Sequence, residues 1–198
     1  MVRQAVDVDE LVIDSLKLWK LLNKEDPLPA VLVGAAFVEK ALVTLLSRFL
    51  ITGSDTAKNI LSEKGILGEF FRCSQMAYCL GLISDLVLHN VERIAKIRNL
   101  FAHSHTQLGF DDKDVSALCS QLKPLGVIPW VSQPGFKELN PKTQAEVREL
   151  DQHNREFLKA FSKRSGRDCF NLIVMAVFAR IIRSVRATTH RESVKEPD

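Results

Sequence analysis

Arg98, Asn99 and His103 are the residues of this chain best equipped for chemistry. A guanidinium grips carboxylate or phosphate through a planar fork of donors, and an imidazole carries a proton near neutral pH. Asn99 and His103 stand four apart and share one helix face, where they would meet one ligand or each other. Arg98 and His103 stand five apart, roughly 140° around an ideal helix. They would converge only at a frayed helix end or across a symmetric dimer. Arg98 is conspicuous for a second reason. Val87, Val91, Ile94, Phe101 and, one step round, Ile97 mark an apolar stripe, and at about 100° per residue Arg98 falls in its middle. An unpaired charge is costly to bury, so Arg98 is expected either to pair inside the fold or to line a cleft. His103-Ser104-His105 sets two imidazoles close together, but without a nearby set of acidic ligands they make a weak zinc site. No metal or other cofactor is expected.

The elements that must position these residues read as helices. A first helix is expected over residues 7 to 23, with Asp7 as N-cap and Glu10 three later. Pro27 and Pro29 break the chain, and a second, strongly hydrophobic helix follows over about 29 to 50. Its Gly34-Ala35-Ala36 patch would let another helix approach closely. Glu39 is its odd member, an acid among Phe37, Val38, Ala41 and Leu42. It is either a solvated edge residue or the buried partner of Arg98. Ser54 caps a short helix that stops before Gly65, and 68 to 82 forms the next, with Phe70, Phe71, Ala77 and Leu80 facing the core. Ser84 then caps the helix that carries Arg98 to His103, and Asp111 or Asp112 caps a short helix through Gln121.

Pro124, Pro129, Pro134 and Gly135 mark a long loop around Trp130, expected to pack through Trp130 and Phe136. Asn140-Pro141 opens a charged helix. Ser165-Gly166 interrupts it, and the run from Cys169 to Ala179 opens the last helix, apolar around nearly its whole circumference. That pattern means burial on nearly all sides, in a core or at a dimer interface. The run is shorter than the roughly 20 residues of a membrane span, and no membrane association is expected. Arg180, Arg183 and Arg186 follow at steps of three. They form either a basic ridge for phosphates or a solvated helix end favoured by the dipole. The chain is expected to be one helical domain over 1–188, with a disordered tail over 189–198.

Arg98-Asn99, three residues and His103 match the Arg-x4-to-6-His motif of the HEPN superfamily of small helical domains. The wider run from Leu80-Gly81-Leu82-Ile83 through Ile97-Arg98-Asn99-Leu100-Phe101-Ala102-His103-Ser104 to Phe110-Asp111-Asp112 resembles the mannitol operon repressor (MltR) family. Val33-Gly34-Ala35-Ala36 and Gly65-Ile66-Leu67-Gly68 extend the resemblance, which covers roughly residues 25 to 120. It implies an all-α, HEPN-like multi-helix bundle, and a transcriptional regulator that lacks a recognisable DNA-binding domain.

Composition agrees with an ordinary globular class: 198 residues, 46% hydrophobic and 26% charged. A net charge of +3 is too small for a dedicated nucleic-acid coat. Cys73, Cys79, Cys119 and Cys169 form no CxxC pair and read as reduced, buried thiols of a cytoplasmic protein. Asp7, Asp9 and Glu10 interrupt any early apolar run of a signal peptide. Phosphate-binding loops, nucleophile elbows, His-Glu-x-x-His helices and a helix-turn-helix are not found.

Two functions of different classes follow. The first is a repressor-like regulator acting through protein–protein contact, without direct DNA binding, as a homodimer with a protein partner such as a sugar-transport or regulatory component. Arg98 and His103 are then structural. The alternative is a metal-independent endoribonuclease of the HEPN type, with a composite Arg/His site at a dimer interface. There His103 would shuttle the proton of the attacking 2′-hydroxyl, Arg98 would stabilise charge in the transition state, and Asn99 would orient the phosphate or the histidine.

Overall fold

The computed structural model describes residues 17–23, 26–51, 54–104, 107–126, 137, 140–159, 161, 164–189 and 191. Its regular elements are all helical: α1 over 17–22, α2 Pro27–Phe49, α3 Asp55–Leu61, α4 Phe70–Cys79, α5 Asp85–His103, α6 Lys113–Cys119, α7 Pro141–Lys159 and α8 Gly166–Ala187. The fold is an all-α bundle. The expected cap at Asp7 with Glu10, the loop residues Pro129, Trp130, Pro134, Gly135 and Phe136, and His105 lie outside the described residues.

Short polar residues set the helix starts. The side chains of Ser54, Ser84, Asn140 and Ser165 each accept from the backbone N–H three residues on, satisfying one orphan donor of a first turn. α2 begins at Pro27 rather than Pro29, because Asp26 accepts from Leu28 N and Pro27 has no N–H to satisfy. α4 is shorter than 68 to 82. Gly81 adopts φ +70°, its N–H reaches Tyr78 O at 2.8 Å, and Leu82 N–H reaches Ala77 O at 2.9 Å. Those two bonds form a Schellman stop that satisfies the last carbonyls of α4. At its other end Gly68 is drawn tightly against backbone, since a Cβ there would lie 2.3 Å from Glu63 O.

The core sits between α2 and α8, flanked by α4 and α5. Gly34 makes the approach close: a Cβ at this position would stand 3.1 Å from Leu22 Cδ2 and 3.3 Å from Val174 Cγ1. Ala35 is buried beside it, whereas Ala36 faces solvent, so the small-residue patch is narrower than its three residues suggest. α2 is long and apolar enough to cross a membrane by length and composition. Here its apolar face meets α8, α5 and α4 instead. α8 is buried continuously from Cys169 to Ala179 within the single chain, which makes it a core helix. Phe37 meets Phe178 edge-on at 5.8 Å, and Phe101, Phe110 and Phe170 form a chain with centroid spacings of 5.8 and 5.6 Å. Each fully buried Leu or Ile of this core contributes about 1.5–3 kcal/mol relative to exposure.

Two local expectations change. Phe71 is 40% exposed, because the buried side of α4 is Cys73, Ser74 and Ala77. Cys79 is exposed, while Cys73, Cys119 and Cys169 are buried, and all four thiols are free. Of the segment expected as a disordered tail only residues 189 and 191 are described; the Arg191 guanidinium lies 4.6 Å over the Phe49 ring, and Arg48 Nε donates to Thr188 O just before the segment.

Candidate functional site

α5 carries the motif, and its buried stripe explains where Arg98 goes. As far as Ala95 the buried residues are Val87, Asn90, Val91, Ile94 and Ala95 itself, and beyond it only Ile97 and Phe101. At about 100° per residue, the centre of that stripe swings toward the Ile97–Phe101 side over the last turns. Arg98 and Ala102, which continue the line of Val87, Val91 and Ile94, are left in solvent. The expected core ion pair of Glu39 with Arg98 is therefore replaced by a different contact. Arg98 Nη1 donates to Asn99 Oδ1 at 3.0 Å, and no hydrogen bond or ion pair joins it to the half-buried Glu39. The physical reason is simple: a guanidinium already in water needs no buried carboxylate.

Asn99 and His103 do come together. With Lys96, Leu100 and Ser104 of the same helix face, they form one wall of a groove of ≈ 660 Å³. Leu108, Asp114 and Leu118 form the other wall, from the approach to α6 and from α6 itself. Arg98 does not line this groove. It touches the site only through Asn99, whose amide oxygen accepts its proton. Lys96, Asn99, Leu100 and His103 are spaced i, i+3, i+4, i+7, a pattern that could have extended the motif to Lys96 and Leu100 from sequence. Asp114 and Leu118 carry no such signal, since only the tertiary fold brings α6 opposite α5.

Beside the groove lies a polar clasp that sequence reasoning missed. Asn90 is fully buried; its Nδ2 donates to Lys123 O and its Oδ1 accepts from Lys123 N, both at 2.9 Å. One turn on, Arg93 Nε donates to Gln121 Oε1 at 2.9 Å, and His89 Nε2 lies 2.9 Å from Gln121 O. These bonds tie the segment after α6 to the first half of α5.

The arginines of α8 divide. Arg180 and Arg183 line a second groove, of ≈ 390 Å³, with Gly81, Leu82, Ile83, Ser84, Val87 and Ser184. Arg186 does not line it. The ridge expected from the three-residue spacing is thus two residues facing one groove and a third turned away.

No three His, Cys, Asp or Glu side chains converge on a metal-sized site among the described residues. Two of the buried thiols, Cys119 and Cys169, are held neutral. Burial, reinforced by neighbouring Cys169, pushes the Cys119 thiol up to about 12. Burial also raises Cys169, with Asp168 adding to the rise and Arg164 opposing it. Neither thiol has the thiolate character of a nucleophile.

The fold is an all-α bundle similar to that of MtlR. The similarity is to the X-ray structure of the MtlR–HPr complex from Escherichia coli, with a TM-score of 0.51 and 16% identity over 84% of this chain and 97% of that one. No family model matches the chain, and no curated protein matches it significantly.

Proposed function

We propose that this protein is a repressor-like regulator that works by binding a protein partner of the HPr type. The observation that carries the reading is the likeness of its fold to MtlR, in a structure where MtlR is bound to HPr, across 84% of the chain. The groove flanked by Asn99 and His103 suits such contact, because leucines line it and polar side chains border it. The ribonuclease alternative draws less support. Its arginine stands outside the groove that holds its histidine, so that reading needs a second copy of the chain to bring the two together.

Calorimetric titration of the full chain with HPr tests the proposal. The expected result is a saturable 1:1 complex that weakens by about tenfold on Leu118→Asp, since a charge in an apolar contact must be desolvated. Absence of saturable binding at micromolar protein would overturn it.

A further inference from the structure

The second groove has a chemistry that partner binding leaves unused. It lies where the Schellman turn after α4 hands the chain to α5, against the last turns of α8. Arg180 and Arg183 both face it, and neither has a carboxylate partner among the described residues. Arg180 is half-buried: one Nη donates to Gly126 O at 3.0 Å, while its Nε is shielded from solvent and has no acceptor. A guanidinium held that way keeps its positive charge uncompensated at the groove wall.

The opposite wall adds donors of the same preference. Ser84 caps α5, a helix of 19 residues, and its hydroxyl is committed to Val87 N. The N–H groups of Asp85 and Leu86 precede the first intrahelical bond, Leu88 N to Ser84 O, and so lack helix acceptors. They carry the positive end of the helix dipole. Asp85, the nearest acid on this helix, is exposed and does not line the groove. Leu82, Ile83 and Val87 provide an apolar strip beside the charged one. A volume of ≈ 390 Å³ falls within the roughly 300–1,000 Å³ of small-molecule sites.

We propose that this groove binds a small phosphomonoester, its phosphate held by Arg180, Arg183 and the start of α5, its carbon part against Leu82 and Val87. The forked donors of two arginines match a dianionic phosphate better than a carboxylate, which offers fewer oxygens and less charge. This site stands apart from the Asn99–His103 groove, and its test contains no protein partner.

The experiment is calorimetry on the full chain at low ionic strength, with inorganic phosphate and glycerol phosphate as separate probes and sodium chloride at matched ionic strength as control. Saturable binding of the ester, tighter than that of inorganic phosphate, is the expected result. Arg183→Gln, at an exposed position, should raise the ester Kd by about tenfold or more, the loss of a charge-assisted hydrogen bond. Ser184→Asp, which sets a carboxylate in the groove, should do the same. Equal affinity for both probes would overturn the assignment to an ester. A heat effect reproduced by chloride, or an ester Kd unchanged in both variants, would overturn the site.

Discussion

Arg98 Nη1 donates to Asn99 Oδ1 at 3.0 Å, and both side chains stand in solvent at the end of α5. A contact between sequence neighbours on a helix surface constrains little, because both residues keep water as an alternative partner. Arg98→Ala should therefore change the unfolding free energy by no more than about 0.5 kcal/mol. Breaking a core ion pair would instead cost about 3–5 kcal/mol. Urea denaturation distinguishes the two, and a loss on the larger scale would return Arg98 to the core.

Asn90 makes the opposite prediction from an equally short side chain. It is fully buried, and both ends of its amide satisfy Lys123 backbone groups. Asn90→Ala strands one donor and one acceptor, at about 1–3 kcal/mol each. The expected loss is about 2–6 kcal/mol in the same denaturation assay. A change under 1 kcal/mol would mean that the clasp is not what holds the segment after α6.

Cys119 couples stability to alkaline pH. Its thiol is pushed up to about 12 in the fold, against an ordinary value of 9.0. The native state thus binds the thiol proton more tightly than the unfolded chain. That contribution is intact below pH 9 and is lost as pH rises from about 9 toward 12. Cys119→Ala should flatten the fall in stability over this window. An identical pH profile for wild type and variant would refute the assignment. In the same molecule, exposed Cys79 should react with a thiol reagent before the three buried cysteines do.

Nucleic-acid assays separate the two functional readings. Under the proposed function, the purified chain should leave a single-stranded RNA intact and should not shift an operator fragment sequence-specifically at physiological salt. Cleavage of RNA that disappears in His103→Ala would overturn the regulator reading in favour of the endoribonuclease.

Local chemistry made much of the architecture legible in advance. Ser54, Ser84 and Asn140-Pro141 announce helix starts because capping is a contest among neighbouring backbone groups, decided within one turn. Gly34 announces a close helix approach, and the run from Cys169 to Ala179, apolar but for Asn171, announces a helix enclosed on nearly all sides; neither inference needs the identity of the neighbour. The spacing of Asn99 and His103 likewise places them on one face, which the groove bears out.

Arg98 shows where such reasoning stops. Its angular position inside the Val87–Val91–Ile94 stripe is a true statement about α5, yet exposure depends on what packs over each turn, and the buried face swings aside before residue 98. Phe71, Asp114 and the division of Arg180 and Arg183 from Arg186 obey the same limit. The amino-acid sequence by itself determined that the elements are helices and where Ser54, Ser84, Asn140 and Ser165 cap them, because those follow from interactions a few residues long. Only the tertiary structure decided which faces are covered and which side chains from distant segments share a groove, because burial is a property of neighbours brought together by the whole chain.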